Sequence, residues 1–386
     1  MGVDTFSYGH NEVGFFVPES SFGVAEKAAA ARAFRVSTMK MGTPPNYEFP
    51  GDYKGGRSRV ERVPGRTPVQ PWSASGVLRM SGAAGTAPDI GDMLKHTFGT
   101  ETVVGSTSVT YSFLEDTTAL SGTVYHNLEN FVEFVYGAIV QNFSLRWNDD
   151  GFITWEVSGI AKDYGRTGIS LADGVGSSSA SLTVDDASYF SPYSLIKIGS
   201  EDNSGAGIQV TAVNYTTQVL TLEGNFSWSD NDSVEPFMPA GTFSSGAPLK
   251  STDATWSIDN GSSTIYHIGG GWNVNTGLDL LNEEAGTSSA VDVVLRNMRE
   301  VAGNVDLLLR QDKAHLPRDF NAQTQYDVQN VIGTTAGSIL TANANQCEID
   351  AQPLDTPETD MVRYSGEVTA LASTATAADE LALVFT

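Results

Sequence analysis

The residue types that carry chemistry are sparse in this chain and poorly placed for it. His10, His96, His126, His267 and His315 are scattered, with no His-x-x-x-His pair, whereas a zinc site needs three or four ligands converging on one ion. Neither a Gly-x-Ser-x-Gly nucleophile elbow nor a Walker phosphate loop occurs. The single cysteine, Cys347, lies in a stretch that reads as a strand, where it is a small buried hydrophobe rather than a nucleophile. It has no partner for an internal disulfide. Gly269-Gly270-Gly271 precedes Trp272, but no helix follows to offer a phosphate its N-terminus, so the triplet reads as a strand break or a close backbone approach. Asp230-Asn231-Asp232 lacks the glycine and distal glutamate of a calcium loop and reads as a turn. No catalytic residue, metal or cofactor is expected, and an enzyme is not.

Charge is the strongest clue in the composition. The net charge is −24, and it is unevenly spread. Residues 1–100 hold 11 Lys/Arg against 9 Asp/Glu, whereas 101–386 hold 11 against 37. A protein that grips duplex DNA gathers cations against its phosphates. An acidic body repels the duplex instead, which suits ordinary solubility and equally a wall past which DNA slides. The opening residues read as no signal peptide and no run of apolar residues is long enough to span a membrane, so neither a leader nor a membrane span is expected, and assembly in the cytosol is.

The elements that position these residues are mostly strands. Thirty-nine glycines and many Ser/Thr runs punctuate short alternating segments, a pattern of antiparallel β-structure. Strands are expected at 77–81, 138–147, 152–160, 209–213, 219–223, 254–258, 264–268, 304–309, 346–351 and 362–370. Asp150-Gly151 and Asn260-Gly261 supply positive-φ hairpin turns. Three helices are expected, over 25–33, 90–98 and 321–332. The second is best marked, with Pro88 and Asp89 at its start, Lys95 and His96 in its last turn and Gly99 as its stop. Ile90, Met93, Leu94 and Phe98 fall on one face of it.

Strand, helix and closing hairpin recur in the same order in both halves, which suggests one fold used twice. Three regions are therefore expected: 1–167, a first β-sandwich unit; 168–240, an inserted small β-barrel or Ig-like domain of five short strands between linkers at 174–181 and 240–246; and 241–386, a second β-sandwich unit. Each sandwich unit is expected to carry one flanking helix. Residues 42–71 are too rich in Pro and Gly for a core element and too long for an ordinary connection. Their aromatics Tyr47, Phe49 and Tyr53 and cations Lys54, Arg57, Arg59, Arg62 and Arg66 describe an arm that becomes ordered on an acidic neighbour.

At this point the sequence resembles the tail tube proteins of siphophages, the major tail proteins of long non-contractile tails. The resemblance is carried by Gly14-Phe15-Phe16-Val17-Pro18-Glu19-Ser20-Ser21-Phe22-Gly23, by Gly56-Arg57-Ser58, by the run from Gly85 to Gly99 that contains Pro88-Asp89-Ile90, and by Asp379-Glu380-Leu381-Ala382-Leu383-Val384-Phe385. The inserted segment is similar to modules found within such proteins. The resemblance implies a β-sandwich with a flanking helix, polymerised as stacked rings whose sheets join edge to edge around a channel. Two units per chain imply a trimer with pseudo-sixfold symmetry. It implies as partners further copies of the chain, a tape-measure protein, tail terminator or adaptor proteins, and double-stranded DNA that passes without specific binding. The place is the virion tail, assembled in the host cytoplasm, with the arm bridging successive rings. Six units of four strands, spaced about 4.8 Å and tilted about 40°, give a backbone diameter near 48 Å and a bore of roughly 38 Å. A cell-surface adhesin or fibre module is the alternative, compatible with the Ig-like insert and Ser/Thr-rich composition.

Overall fold

A computed structural model describes residues 12–42, 47–48, 63–114, 120–148, 150–258, 263–265, 267–308, 325–351, 363–374 and 377–386. The protein is mainly β, with antiparallel pairing throughout and one α-helix among the described residues. Eighteen strands join in one barrel-like network. Among the described residues, the ladders followed pair by pair branch but never return to their start, so the wall described has open edges.

The backbone of this network is an eight-stranded sheet. Thr38–Met41 pairs with Gln70–Val77, which pairs with Thr154–Ala161, which pairs with the second half of Val132–Trp147. That strand then pairs with His267–Asn275, and the order continues through Glu300–Leu308 and Arg363–Ala370 to the end of Leu340–Ala351. Each half of the chain thus gives a quartet whose strands lie in space as first, second, fourth, third. The second quartet follows the first head to tail.

Core residues alternate along these strands, as a half-buried sheet requires. Trp72, Ala74, Trp155, Val157, Phe143, Leu145, Trp272, Val274, Val305 and Val368 face one apolar cluster that draws on both 1–167 and 241–386. A second layer closes it, in the order Gly99–Val104, Ser108–Phe113, Ala382–Phe385, the start of Leu340–Ala351, Tyr326–Ile332, Ala254–Ile258, Ser263–Ile265. The strand Ala382–Phe385 is inserted between the two halves. The helix Gly91–Phe98 packs beneath Val132–Trp147, with Phe98 stacked on Phe113 at 4.7 Å and edge-on to Phe143 at 6.4 Å. Gly99 stops it at φ +94, a conformation that glycine adopts without strain.

Val132–Trp147 is long enough to serve two sheets. Its first half pairs with Gly122–Asn127 and Asp163–Thr167, and Gly122–Asn127 pairs with Val13–Pro18. The change of sheet falls at Gly137, φ +61, where the register slips between Val135 and Ala138. Such an extra residue bends a strand. At Gly159, a Cβ would lie 1.8 Å from the carbonyl oxygen of Ile139. Gly159→Ala is therefore expected to push two central strands apart and lower the thermal midpoint by several degrees, as calorimetry would read; an unchanged midpoint would contradict this contact.

Residues 170–236 carry their own six-stranded sheet, in the order Ser170–Leu171, Ser233–Pro236, Leu195–Ile198, Ile208–Asn214, Val219–Trp228, Gly176–Thr183. Its core includes Leu182, Phe190, Ile196, Ile208, Leu220 and Val234. Leu195 instead joins Phe15, Tyr125 and Phe134 beneath it. The expected linker at 174–181 is mostly the strand Gly176–Thr183, its run of serines stabilised by pairing with Val219–Trp228.

Other expectations are corrected. Residues 25–33 hold only a 3-10 turn, Ala30–Arg32, running into the strand Ala33–Phe34, because Ala25, Ala28 and Ala33 are held against the sheet. Within 321–332, Tyr326–Ile332 is a strand, with Tyr326, Val328, Asn330 and Ile332 buried on alternate positions, and 321–324 lie outside the described residues. The helix expected of the second unit is thus a strand there. The strand expected at 77–81 ends at Val77, having begun at Gln70.

Candidate functional site

The described residues expose a sheet face, a shallow groove and strand edges. No group of three or more His, Cys, Asp or Glu among them could hold a metal ion. His10 and His315 lie outside the described residues. His96 is buried under the helix, its Nδ1 2.7 Å from the Asp92 carbonyl and its Nε2 3.2 Å from that of Ser121, and burial lowers its pKa. His126 stands between Glu12, at 3.4 Å, and Glu133, at 3.8 Å. Cys347 is fully buried, and its thiol is pushed up to about 12 by burial, so it packs as a hydrophobe. Gly269–Gly271 form no break. They lie within the strand His267–Asn275, where Cβ atoms at Gly270 and Gly271 would approach the carbonyls of Asn304 and Leu145 to 2.8 and 2.6 Å. Asp230 to Asp232 form a turn, with Asn231 at φ +65 and the Asp232 carboxylate accepting from Ser229 N–H at 2.7 Å.

Among the described residues, the sheet presents one open face and two edges without ladder partners. The alternation that buries Trp155 and Trp272 turns Lys40, Arg146 and Glu156 outward from the first quartet. From the second it turns out Glu300, Asp306, Glu348, Asp350 and Glu367. The face is therefore acidic on one quartet and mixed on the other. A shallow groove follows the joint, with Arg146 on one bank and Glu300, Asp306 and Glu367 on the other. Among the described residues, the outer edge of Thr38–Met41 has no ladder partner, and neither has that of 348–351. Bare strand edges of this kind template pairing with another chain.

At the upper end of the sheet, Leu278–Leu281 and Asp292–Leu295 form a hairpin that the sequence reading missed. Leu278-Asp279-Leu280 before Glu283-Glu284-Ala285-Gly286 was its signal. Leu278, Leu280 and Val293 cover Ile139 and Ile160, with Val69 and Phe22 beside them.

The expected arm and helix residues fare differently. Within the arm, Tyr47–Glu48 pairs with Val63–Pro64, while Phe49, Tyr53, Lys54, Arg57, Arg59 and Arg62 lie outside the described residues. Arg66 donates to the carbonyls of Asn282 and Glu284 on the hairpin. The strand Gln70–Val77 already includes the last two residues of 42–71. Ile90, Met93, Leu94 and Phe98 are all buried, so that face of the helix holds the sheet.

Glu19 pins the bend in the long strand. Its half-buried carboxylate accepts from Gly137 N–H (2.8 Å), Gly23 N–H (3.0 Å) and the hydroxyls of Ser121 (2.8 Å) and Thr123 (2.9 Å). Burial nevertheless outweighs these bonds and raises its pKa. A carboxyl raised on folding binds more protons in the folded state, so its contribution is full below the ordinary carboxylate range and is lost as pH rises through the folded value. Glu19→Gln should remove that part of the pH dependence. It should also turn an amide toward the Gly23 N–H, costing about 1–3 kcal/mol. Urea midpoints of both proteins across pH 4 to 7 read this; parallel curves would refute it.

No family model matches the chain, and no curated protein does.

Proposed function

We propose that this protein is a structural subunit of a long non-contractile phage tail, a tube protein whose copies join edge to edge into stacked rings. The observation that carries the reading is the repeated quartet. Within one chain, the third strand of the first quartet pairs with the first strand of the second, over Asn142–Asn275 to Trp147–Gly270. Its counterparts, the end of Leu340–Ala351 and Thr38–Met41, are the two edges without a ladder partner among the described residues. A unit whose ends complement each other head to tail either closes into a ring or runs on as a filament.

Three chains of eight strands give a closed wall about 150 Å around, with a bore of roughly 38 Å once side chains are allowed for. That passes a hydrated duplex. Turned inward, the open face repels phosphate while offering no continuous cationic track. Rings of this kind would stack on a tape-measure protein, end at terminator or adaptor proteins, and conduct DNA during ejection in the virion. The insert would decorate the outside. Negative-stain microscopy of the purified chain tests the reading. Uniform rings or tubes with three chains per layer are expected, and dispersed globules at every concentration would overturn it.

A further inference from the structure

The two quartets share more than strand order. In each, a long connection leaves the first strand and returns to the second at the same end of the sheet: 42–69 in the first quartet, 276–299 in the second. Each connection carries a short two-stranded ladder, Tyr47–Glu48 with Val63–Pro64 and Leu278–Leu281 with Asp292–Leu295.

The second connection is seated, and not on its own quartet. It leans across the joint onto the third and fourth strands of the first quartet, where Leu278, Leu280 and Val293 cover Ile139 and Ile160. Ile139 points away from the main core that Ala138 and Val140 enter, so the seat is on the open face. Gln141 Nε2 donates to the Leu278 carbonyl at 3.1 Å, and the Thr276 hydroxyl donates to that of Val140 at 2.8 Å.

The first connection has the same relation to the edge at Thr38–Met41, beyond which no strand lies among the described residues. The surface equivalent to its seat is the upper end of the third and fourth strands of a second quartet, around Gln346 and Leu371, which are bonded by Leu371 N–H to the Gln346 carbonyl at 2.7 Å. Charge supports the match. The hairpin 278–295 carries four acids and no Lys or Arg, and it sits on the quartet that shows Lys40, Arg146 and Glu156. The connection 42–69 carries five Lys/Arg against three acids. Of the five, Arg66 is bonded to the chain's own hairpin, and the surface offered to the other four cations shows Glu348, Asp350 and Glu367.

We infer that the connection 42–69 of one copy seats laterally on the second quartet of a neighbouring copy in the same ring, at Gln346, Glu348, Asp350, Glu367 and Leu371. This rests on the tube reading, because it needs copies joined edge to edge, and it replaces the expected bridge between successive rings by one within a ring. The arm thereby reinforces each intermolecular joint as the hairpin reinforces the intramolecular one.

Carbodiimide treatment of particles assembled from mixed isotope-labelled and unlabelled chains tests it, since the reagent joins an amine only to a carboxylate it already touches. Lys54 should be linked between copies to Glu348, Asp350 or Glu367, in a product ladder that stops at the number of chains in a ring. A ladder running past that number, or Lys54 linked only elsewhere, overturns the lateral seat and leaves the tube intact. Failure of the unaltered chain to form particles removes the tube reading itself. Independently, replacing Lys54, Arg57, Arg59 and Arg62 by Glu should cut particle yield at least about tenfold, and adding Glu348→Lys, Asp350→Lys and Glu367→Lys should restore most of it. No rescue by the second set counts against the seat.

Discussion

On the proposed edge-to-edge assembly, replacing Met41 by proline is expected to leave a folded chain that does not polymerise. Gly42 N–H donates to the Pro71 carbonyl at 3.0 Å, and the register pairs Met41 with Trp72. Donors alternate along an antiparallel ladder, so the N–H of Met41 points to the outer edge, where it has no partner among the described residues. Proline deletes that donor and sets its ring where a neighbouring strand would lie. Circular dichroism should show the same strand content and a thermal midpoint within a few degrees. Sedimentation should find monomer at concentrations at least about tenfold above those at which the unaltered chain assembles. Tubes formed by the proline variant at the ordinary concentration would show that this edge is not where copies join.

The largest loss of stability is expected at Trp272. The side chain is buried, stacked on Trp256 at 6.1 Å, and its Nε1 donates to the Asn330 Oδ1 at 2.7 Å. It stands on the strand that joins the two quartets, so its packing serves both. Truncation to alanine removes about 3–5 kcal/mol of packing and strands a buried amide at a further cost of about 1–3 kcal/mol. Against a total of about 5–15 kcal/mol for an ordinary domain, Trp272→Ala should be mostly unfolded or insoluble. Trp272→Phe should retain most of the packing and lose chiefly the bond, and adding Asn330→Leu should recover part of that. Urea denaturation followed by tryptophan fluorescence measures all three. A small effect of Trp272→Ala would mean that the halves do not share one core.

Legibility in the sequence followed the range of the interactions. The helix Gly91–Phe98 was readable because its signals are local, a proline and an aspartate before it and a glycine at its end. The insert was readable from its turns, apart from Gly176–Thr183, whose serines carry no apolar alternation. Tyr326–Ile332 was misread because one of its inward positions is Asn330, buried only by virtue of its bond to Trp272, on a strand distant in sequence. The alanines at 25–33 favour a helix in isolation, but packing against the sheet overrides a propensity of a few tenths of a kcal/mol. For the candidate surface, charge asymmetry and the basic arm were visible in composition. The bare edges were not, since an edge is defined by which strand fails to arrive.

Because the joint between Val132–Trp147 and His267–Asn275 lies inside one polypeptide, those two strands never have to meet by diffusion. Bringing free bodies together forfeits translational and rotational freedom worth about 4–15 kcal/mol at each encounter. A wall of six quartets built from separate pieces meets that cost at every junction, whereas tethered pairs meet it at every other one. Dilution or mild denaturant should therefore cleave such a wall at one class of junction only, and the smallest piece shed would be the intact chain.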